Sequence, residues 1–149
     1  MTGGVVHQAG EGERHPLGPG SSTTLKATAD ATAGRFFLSE NDVAPGFPGP
    51  PPHVHDELVD SFYVLEGTLT VIVGHEEFEL GPGGFACAQP GTRHTFANRS
   101  ESRVRFLNIN APGGFEHYMR ELAAAASVGA LTSERLGEIA SRYDVRVVD

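Results

Sequence analysis

Residues 1–112 consist largely of short runs in which apolar and polar side chains alternate, separated by glycine and proline. Successive side chains of a strand point to opposite faces of a sheet, so such runs predict half-buried β-strands. Roughly eight or nine strands with turns every 8–12 residues are typical of an all-β sandwich or barrel. The clearest runs are Thr23–Ala29, Arg35–Val43, Ser61–Leu65, Thr68–Val73, Glu76–Leu80, Phe85–Gln89, Thr92–Asn98 and Arg103–Asn110.

Glycine-containing segments mark the turns between these runs. We expect Glu66-Gly67 to close one hairpin, Gly74-His75 to close a second, and Asp30–Gly34 to join the first two strands. Residues 1–20 are interpreted either as an irregular arm or as an edge strand lent to a neighbour, with a short strand at Val5–His7. Residues 44–52 are rich in proline, which lacks the backbone N–H that a ladder needs, so this segment is predicted to be a stiff loop.

The hydrophobic pattern changes after residue 112. Four apolar residues recur at helical spacing and predict an amphipathic helix: Phe115, Met119, Leu122 and Ala126. Ser133 is expected to cap a second helix that ends at Tyr143, and Val145–Val148 is predicted to add an edge strand. We therefore divide the chain into an N-terminal arm (residues 1–20), a β-domain (21–112) and a C-terminal helical extension packed on it (113–149).

Composition and charge narrow the function. The 149 residues are the size of one domain, and 11 basic against 19 acidic side chains give a net charge of −8. Nucleic acids and anionic membranes are held by basic clusters, so neither is an expected partner. No apolar run approaches the roughly 20 residues of a membrane span, and the first residues lack the features of a secretory signal. The single cysteine, Cys87, is expected to be a small buried side chain. We expect a cytoplasmic protein.

Two histidines separated by one residue, His53 and His55, are the strongest chemical signal. On a strand, residues two apart share a face, and the three prolines at positions 50–52 exclude a helix here. His94, on a later predicted strand, is a candidate third imidazole. Asp60 follows His55 by five residues, an odd spacing that places it on the opposite face of a straight strand. A bend or bulge between Asp56 and Val59 would return its carboxylate to the histidines.

Three imidazoles with one carboxylate form the ligand set of an open transition-metal site. Such donors suit Fe, Mn, Ni, Cu or Zn without selecting among them. Glu57 is an alternative carboxylate near the same histidines.

Two motifs in this chain resemble those of the cupin family. Residues 52–67 begin with Pro-His-Val-His, continue to Asp60 after four residues and to Gly67 after six more, as in the first cupin motif. Residues 83–98, with Gly91-Thr-Arg-His-Thr-Phe-Ala-Asn98 at their end, are similar to the second. The resemblance implies a jelly-roll β-barrel over residues 21–112, a homodimer, and one divalent metal per chain bound by His53, His55, Asp60 and His94.

Two positions depart from the family pattern. Asp60 stands where the family usually has glutamate, so its carboxylate lies one methylene, roughly 1.5 Å, further back. It is expected to be a metal ligand or a base, unless a three-histidine site forms without it. Gln89 stands where the family usually has proline and is predicted to reach the pocket, which makes Asp60 and Gln89 the candidate catalytic residues.

The chain is most similar to small quercetin-dioxygenase-like cupins. This similarity implies a dioxygenase that uses O₂ on a small aromatic or enol-type substrate bound beside the metal. Two alternatives stay open. One is a non-oxidative cyclase or isomerase, since the family includes polyketide cyclases that use the metal as a Lewis acid. The other is a module that binds metal or a small ligand without turnover.

Overall fold

The computed structural model describes residues 3–149, in which eleven strands and three helices form. The strands are β1 (Glu13–Pro16), β2 (Ser22–Ala27), β3 (Phe37–Val43), β4 (His53–Val54), β5 (Val59–Glu66), β6 (Leu69–Val73), β7 (Glu76–Leu80), β8 (Phe85–Ala88), β9 (His94–Ala97), β10 (Val104–Ala111) and β11 (Arg146–Val147). The helices are α1 (Ala29–Thr32), α2 (Glu116–Ser127) and α3 (Ser133–Ala140).

The strands form two antiparallel sheets whose inner faces enclose the core. The six-stranded sheet has the order β1-β2-β3-β10-β5-β8, and the five-stranded sheet has the order β11-β4-β9-β6-β7. Burial alternates residue by residue along β2 and β3, as the sequence pattern predicts. The prediction of an all-β jelly roll is confirmed, as two packed sheets rather than a closed barrel. The main core cluster contains Val43, Phe62, Val64, Leu69, Val71, Val104 and Phe106.

The helical extension forms a second apolar cluster. It consists of Tyr118, Ala125, Ile139, Ala140 and Val145. The predicted helical stripe is largely confirmed, but Ala125 is buried in place of Ala126. The cap predicted for α3 is wrong by one residue: Thr132 is extended and its side chain accepts a hydrogen bond from the Arg135 amide at 3.1 Å. The helix ends at Ala140 rather than Tyr143.

The hairpin predicted at Glu66-Gly67 is wrong. The two strands that flank it belong to different sheets, since β5 pairs with β10 and β8 while β6 pairs with β7 and β9. Gly67 has φ +79°, and a Cβ there would lie 2.4 Å from the carbonyl oxygen of Arg103. Gly67 therefore permits a close backbone approach where the chain crosses from one sheet to the other. The second hairpin prediction is confirmed, because Val73 pairs with Glu76 across Gly74-His75.

The predictions for the chain ends and for Cys87 have different outcomes. Residues Val5–His7 are irregular and exposed, which agrees with the first of the two alternatives, and β1 pairs with β2 of the same chain. The terminal edge strand is confirmed, since β11 pairs with β4. Cys87 is exposed rather than buried, because its neighbours Ala86 and Ala88 take the inward positions of β8. No helix within residues 3–149 is long and apolar enough to cross a membrane.

Candidate metal centre

Two of the predicted histidines face each other across a ladder. His53 on β4 lies directly opposite His94 on β9 in the five-stranded sheet. His55 follows β4 immediately, and all three side chains are buried. The same-face prediction for His53 and His55 is consistent with this arrangement, because both rings contact His94.

Asp60 reaches the histidines from the opposite sheet. The chain turns between Asp56 and Leu58, leaves β4 of the five-stranded sheet and enters β5 of the six-stranded sheet. On β5, Asp60 lies on the inward face with Phe62 and Val64. The bend expected between Asp56 and Val59 is therefore present. Because each sheet has its own inward-facing side, the bend lets Asp60 point inward although its spacing from His55 is odd.

The four side chains form a compact donor cluster. One ligand atom from each residue lies within 4.8 Å of the others, and all four residues are buried. The Asp60 Oδ2 atom is 2.8 Å from His94 Nε2 and 3.3 Å from His55 Nε2. His53 completes the cluster, with its ring centroid 4.4 Å from that of His94.

Backbone carbonyls determine which nitrogen of each ring faces the cluster. The Nδ1 contacts are His53 with Pro51 O at 2.9 Å, His55 with Asp144 O at 2.6 Å, and His94 with Thr92 O at 2.9 Å. A carbonyl only accepts hydrogen bonds, so each Nδ1 carries the hydrogen and each Nε2 is left as the donor atom for a cation.

This donor set fits a divalent transition metal. A neutral Nε2 and a carboxylate oxygen are both acceptors, so a 2.8 Å contact between His94 and Asp60 needs a positive species between them, either a proton or a metal ion. Imidazole nitrogens with a carboxylate suit first-row transition metals, which ordinarily retain further coordination positions for exogenous ligands. The four residues could therefore hold such an ion.

Two asparagines that sequence reasoning missed hold the other oxygen of Asp60. Its Oδ1 atom accepts hydrogen bonds from Asn108 Nδ2 at 2.6 Å and Asn110 Nδ2 at 2.8 Å. Both lie on β10, where Asn110 pairs directly with Asp60. The available signal was weak: two polar residues in alternate positions on a strand whose inward face is otherwise apolar. Together they leave Oδ2 as the oxygen that faces the histidines.

Among the described residues, Asn110 also presents a buried acceptor without a partner, its Oδ1 atom. The amide cannot be reversed without placing this oxygen against the ionised Asp60 carboxylate. The negative charge of Asp60 thus determines the orientation of the Asn110 amide.

The protonation states of the cluster favour cation binding. Burial disfavours ionisation of Asp60, but hydrogen bonds and charge from His55 and His94 outweigh it and lower the pKa of the carboxyl below its usual range. Burial lowers the pKa of His55, but its contacts with Asp60 and the Asp144 carbonyl raise the pKa above the ordinary value. Burial and the neighbouring His94 lower the pKa of His53 to about 4. Near pH 7, Asp60 is a carboxylate and His53 is a neutral ligand.

Aromatic side chains close the cluster. Phe115, at the start of α2, contacts His55 with ring centroids 5.7 Å apart and near-perpendicular planes. It also packs on Phe37 of the six-stranded sheet at 6.2 Å. Beneath the site, Phe62 contacts His94. The helical extension therefore covers one side of the cluster and limits access of water.

The structure does not bring the other two predicted residues into the cluster. Gln89 is exposed and follows Ala88, whose buried side chain takes the position opposite Asp60. Gln89 therefore lies outside the four-residue cluster, and its catalytic role stays a prediction. Glu57 is also exposed, because it lies at the outside of the turn between the two sheets.

Comparison with known proteins identifies the family. A model of the cupin domain matches residues 40–110, a span that contains all four residues of the cluster. The chain is 28% identical over 117 residues to a quercetin 2,3-dioxygenase of Bacillus subtilis (strain 168), a match that covers 78% of this chain and 34% of that protein. The chain thus spans about a third of the length of this relative.

Solved structures share the fold. The polyketide cyclase RemF of Streptomyces resistomycificus is 28% identical, with a TM-score of 0.55 over 65% of this chain and 68% of the cyclase. KdgF from Halomonas sp. is 19% identical, with a TM-score of 0.66 over 76% of this chain and 98% of KdgF, and shows likeness of fold alone. The motifs, the two-sheet jelly roll and the family match agree: residues 40–110 of this chain form a cupin domain.

Proposed function

We propose that this protein is a metal-dependent dioxygenase that acts on a small aromatic or enol-type substrate. The observation that carries the proposal is the buried convergence of three imidazole nitrogens on the Asp60 carboxylate. The similarity over 117 residues to a quercetin 2,3-dioxygenase supports the choice of reaction. In this proposal His53, His55, Asp60 and His94 hold one divalent ion.

Each residue of the cluster has a separate task in this proposal. When bound, a redox-active ion supplies the coupling between O₂ and an organic substrate, whereas zinc supplies Lewis-acid polarisation. The three rings are aimed by backbone carbonyls, and the asparagines on β10 fix the rotation of the Asp60 carboxylate. Phe115 excludes water from the side next to His55.

The environment of Asp60 supports a role as ligand rather than general base. A general base works best when its pKa lies near the working pH. The pKa of Asp60 is lowered instead, so its carboxylate holds protons weakly and cations well.

A second candidate function is a non-oxidative cyclase. It is favoured by the 28% identity to a polyketide cyclase of the same fold. The same four residues would hold the ion, and no transfer of electrons to O₂ would occur. The two functions therefore differ in metal identity and oxygen consumption.

The test combines metal analysis with oxygen uptake. Protein purified without chelator is analysed for its elements and then mixed with a panel of flavonols and polyketide-like phenols in an oxygen-electrode cell. A redox-active metal at one equivalent with substrate-dependent O₂ uptake is the expected result. Zinc without O₂ uptake, together with conversion of a polyketide-like phenol, would reject the dioxygenase in favour of the cyclase.

A paired variant tests the site itself. The double variant His53→Ala/His55→Ala is expected to lose the metal. A matched control is His75→Ala, since His75 lies exposed in a turn and is not a member of the cluster. Retention of stoichiometric metal by the double variant would refute the proposed site.

A further inference from the structure

The last residues of the chain lie against the strand that carries two of the proposed ligands. In β11, Val147 pairs with His53, and the Val148 amide donates a hydrogen bond to Pro52 O at 2.9 Å. This terminal segment lies outside the cupin-domain match, which ends at residue 110. It therefore lies beyond the matched domain and still reaches the site.

One residue of the segment, Asp144, binds the turn between the two sheets. Its carboxylate accepts hydrogen bonds from the three consecutive backbone amides of that turn: Asp56 N at 2.6 Å, Glu57 N at 2.9 Å and Leu58 N at 2.8 Å. Hydrogen bonds to a carboxylate are stronger than those between neutral groups. Asp144 thus determines the path of a turn that begins after His55 and ends before Asp60.

The backbone of the same residue contacts a ligand directly. The Asp144 carbonyl oxygen accepts a hydrogen bond from His55 Nδ1 at 2.6 Å. Four hydrogen bonds, three through the side chain and one through the main chain, therefore link Asp144 to His55 and to the turn that leads to Asp60. Partners of this kind orient a metal ligand and determine which ring nitrogen binds.

We propose that Asp144 is a positioning residue of the metal centre, which sets the separation and orientation of His55 and Asp60 from the C-terminal extension. This inference rests on the proposed function, because it presumes that these residues hold a metal ion. The opposing interpretation is that Asp144 only anchors the tail. In that case its loss would lower stability without altering how the ion is held.

The test compares three full-length variants. Asp144→Ala removes the acceptor of all three amides, and Asp144→Asn retains one acceptor oxygen. Arg146→Ala is the matched control: it belongs to the same tail and contacts the same turn through an exposed ion pair with Asp56 at 3.0 Å, but it contacts no ligand. Each metal-free protein is titrated with Co²⁺ in competition with a chelator, and the visible spectrum of the complex is recorded.

We expect Asp144→Ala to weaken Co²⁺ binding about 10- to 100-fold, the usual effect of losing an outer-shell partner, and to shift the visible bands. Asp144→Asn should be intermediate, and Arg146→Ala should stay within about twofold of the wild type. A second readout uses ¹⁵N NMR of metal-free protein, in which the His55 Nδ1–H signal should be protected in the wild type and exchange rapidly in Asp144→Ala.

The outcomes separate this inference from the proposed function. Asp144→Ala that binds Co²⁺ within twofold of the wild type with an unchanged spectrum would overturn the positioning role, as would an equal loss in Arg146→Ala. Where Asp144→Ala does not fold, the same criteria apply to Asp144→Asn. A wild-type protein that binds no Co²⁺ would instead overturn the proposed metal function and this inference with it.

Discussion

At the scale of single residues, Asp60 is the point on which the site depends. Its two oxygens have different partners. Oδ2 contacts His55 and His94, and Oδ1 accepts hydrogen bonds from the two asparagines of β10. The side chain is one methylene shorter than the glutamate usual in the family, and it still comes within 2.8 Å of His94 Nε2. The shorter side chain is sufficient because Asp60 approaches the histidines from the opposite sheet.

Asp60→Asn is predicted to weaken metal binding and to lower the pKa of His55. The variant keeps the size of the side chain but removes the charge that raises the His55 pKa. We expect a loss of Co²⁺ affinity of at least the roughly 10- to 100-fold that outer-shell changes produce. An NMR pH titration of His55 in metal-free protein measures the pKa, and it would contradict the prediction if the pKa were unchanged.

At the scale of elements, the proline-rich loop holds β9 in place beside the ligands. Gly49 has φ +74°, and a Cβ there would lie 1.6 Å from the carbonyl oxygen of Phe96 on β9. The far end of this loop is fixed by Asn98, whose amide donates to the carbonyls of Val43 and Ala44. Asn98 therefore has a structural role, and the stiff loop has a definite partner.

Gly49→Ala is predicted to destabilise the protein more than Gly46→Ala. Both glycines have positive φ, so alanine is strained at either position by about 1–2 kcal/mol. Only Gly49 also meets a backbone atom, whereas a Cβ at Gly46 meets nothing within 4 Å. We expect the free energy of unfolding in urea to fall by at least about 2 kcal/mol more for Gly49→Ala, the upper range for steric strain and overpacking. Equal losses would show that β9 yields to the added methyl group.

The elements also show what the sequence could and could not predict. The alternation of β3 or β10 specifies which side chains face inward, so most strands were correct. The hairpin at Glu66-Gly67 was wrong because a turn signal does not specify whether the next strand joins the same sheet. For the same reason, the sequence could not predict whether the Asp60 side chain faces the histidines.

Long-range contacts explain what was missed at the site. Asp144 contacts a turn 86 to 88 residues away, and no local pattern relates the two. The contacts of Asn108 and Asn110 with Asp60 can be predicted only once β10 is known to pair with β5. Gln89 lies outside the cluster for a local reason, since the inward position opposite Asp60 belongs to Ala88.

At the scale of the whole molecule, the four-residue cluster concentrates ionisable groups inside an apolar sandwich. Residues outside it are mostly paired at the surface, as with Arg120 and Glu13 or Arg103 and Asp42. Exposed pairs contribute little to stability, so the pH dependence between about pH 5 and 8 should come largely from buried histidines. Homodimer formation, cytoplasmic location and the domain boundaries stay predictions.

The stability of metal-free protein is predicted to be greatest near pH 6.5. The folded pKa of His53 is about 4, below its ordinary value of 6.5, so the unfolded chain takes up the proton first and stability falls as the pH drops below 6.5. The folded pKa of His55 is raised, so its contribution is complete below 6.5 and is lost as the pH rises through the folded value.

Urea unfolding at several pH values in the presence of chelator measures this dependence. His53→Ala is expected to flatten the acid side of the profile and leave the alkaline side in place. A wild-type profile that rises steadily from pH 5 to pH 8 would contradict the assignment of the raised pKa to His55.

The division of the ligand cluster between two sheets has a mechanical consequence. The three histidines belong to the five-stranded sheet or its end, and Asp60 belongs to the six-stranded sheet. In the main core cluster the two sheets meet through apolar packing, which has no fixed bond directions. An ion bound by residues of both sheets would join the two sheets through coordination bonds of fixed direction. Release of the ion and loosening of that end of the sandwich would then be a single event.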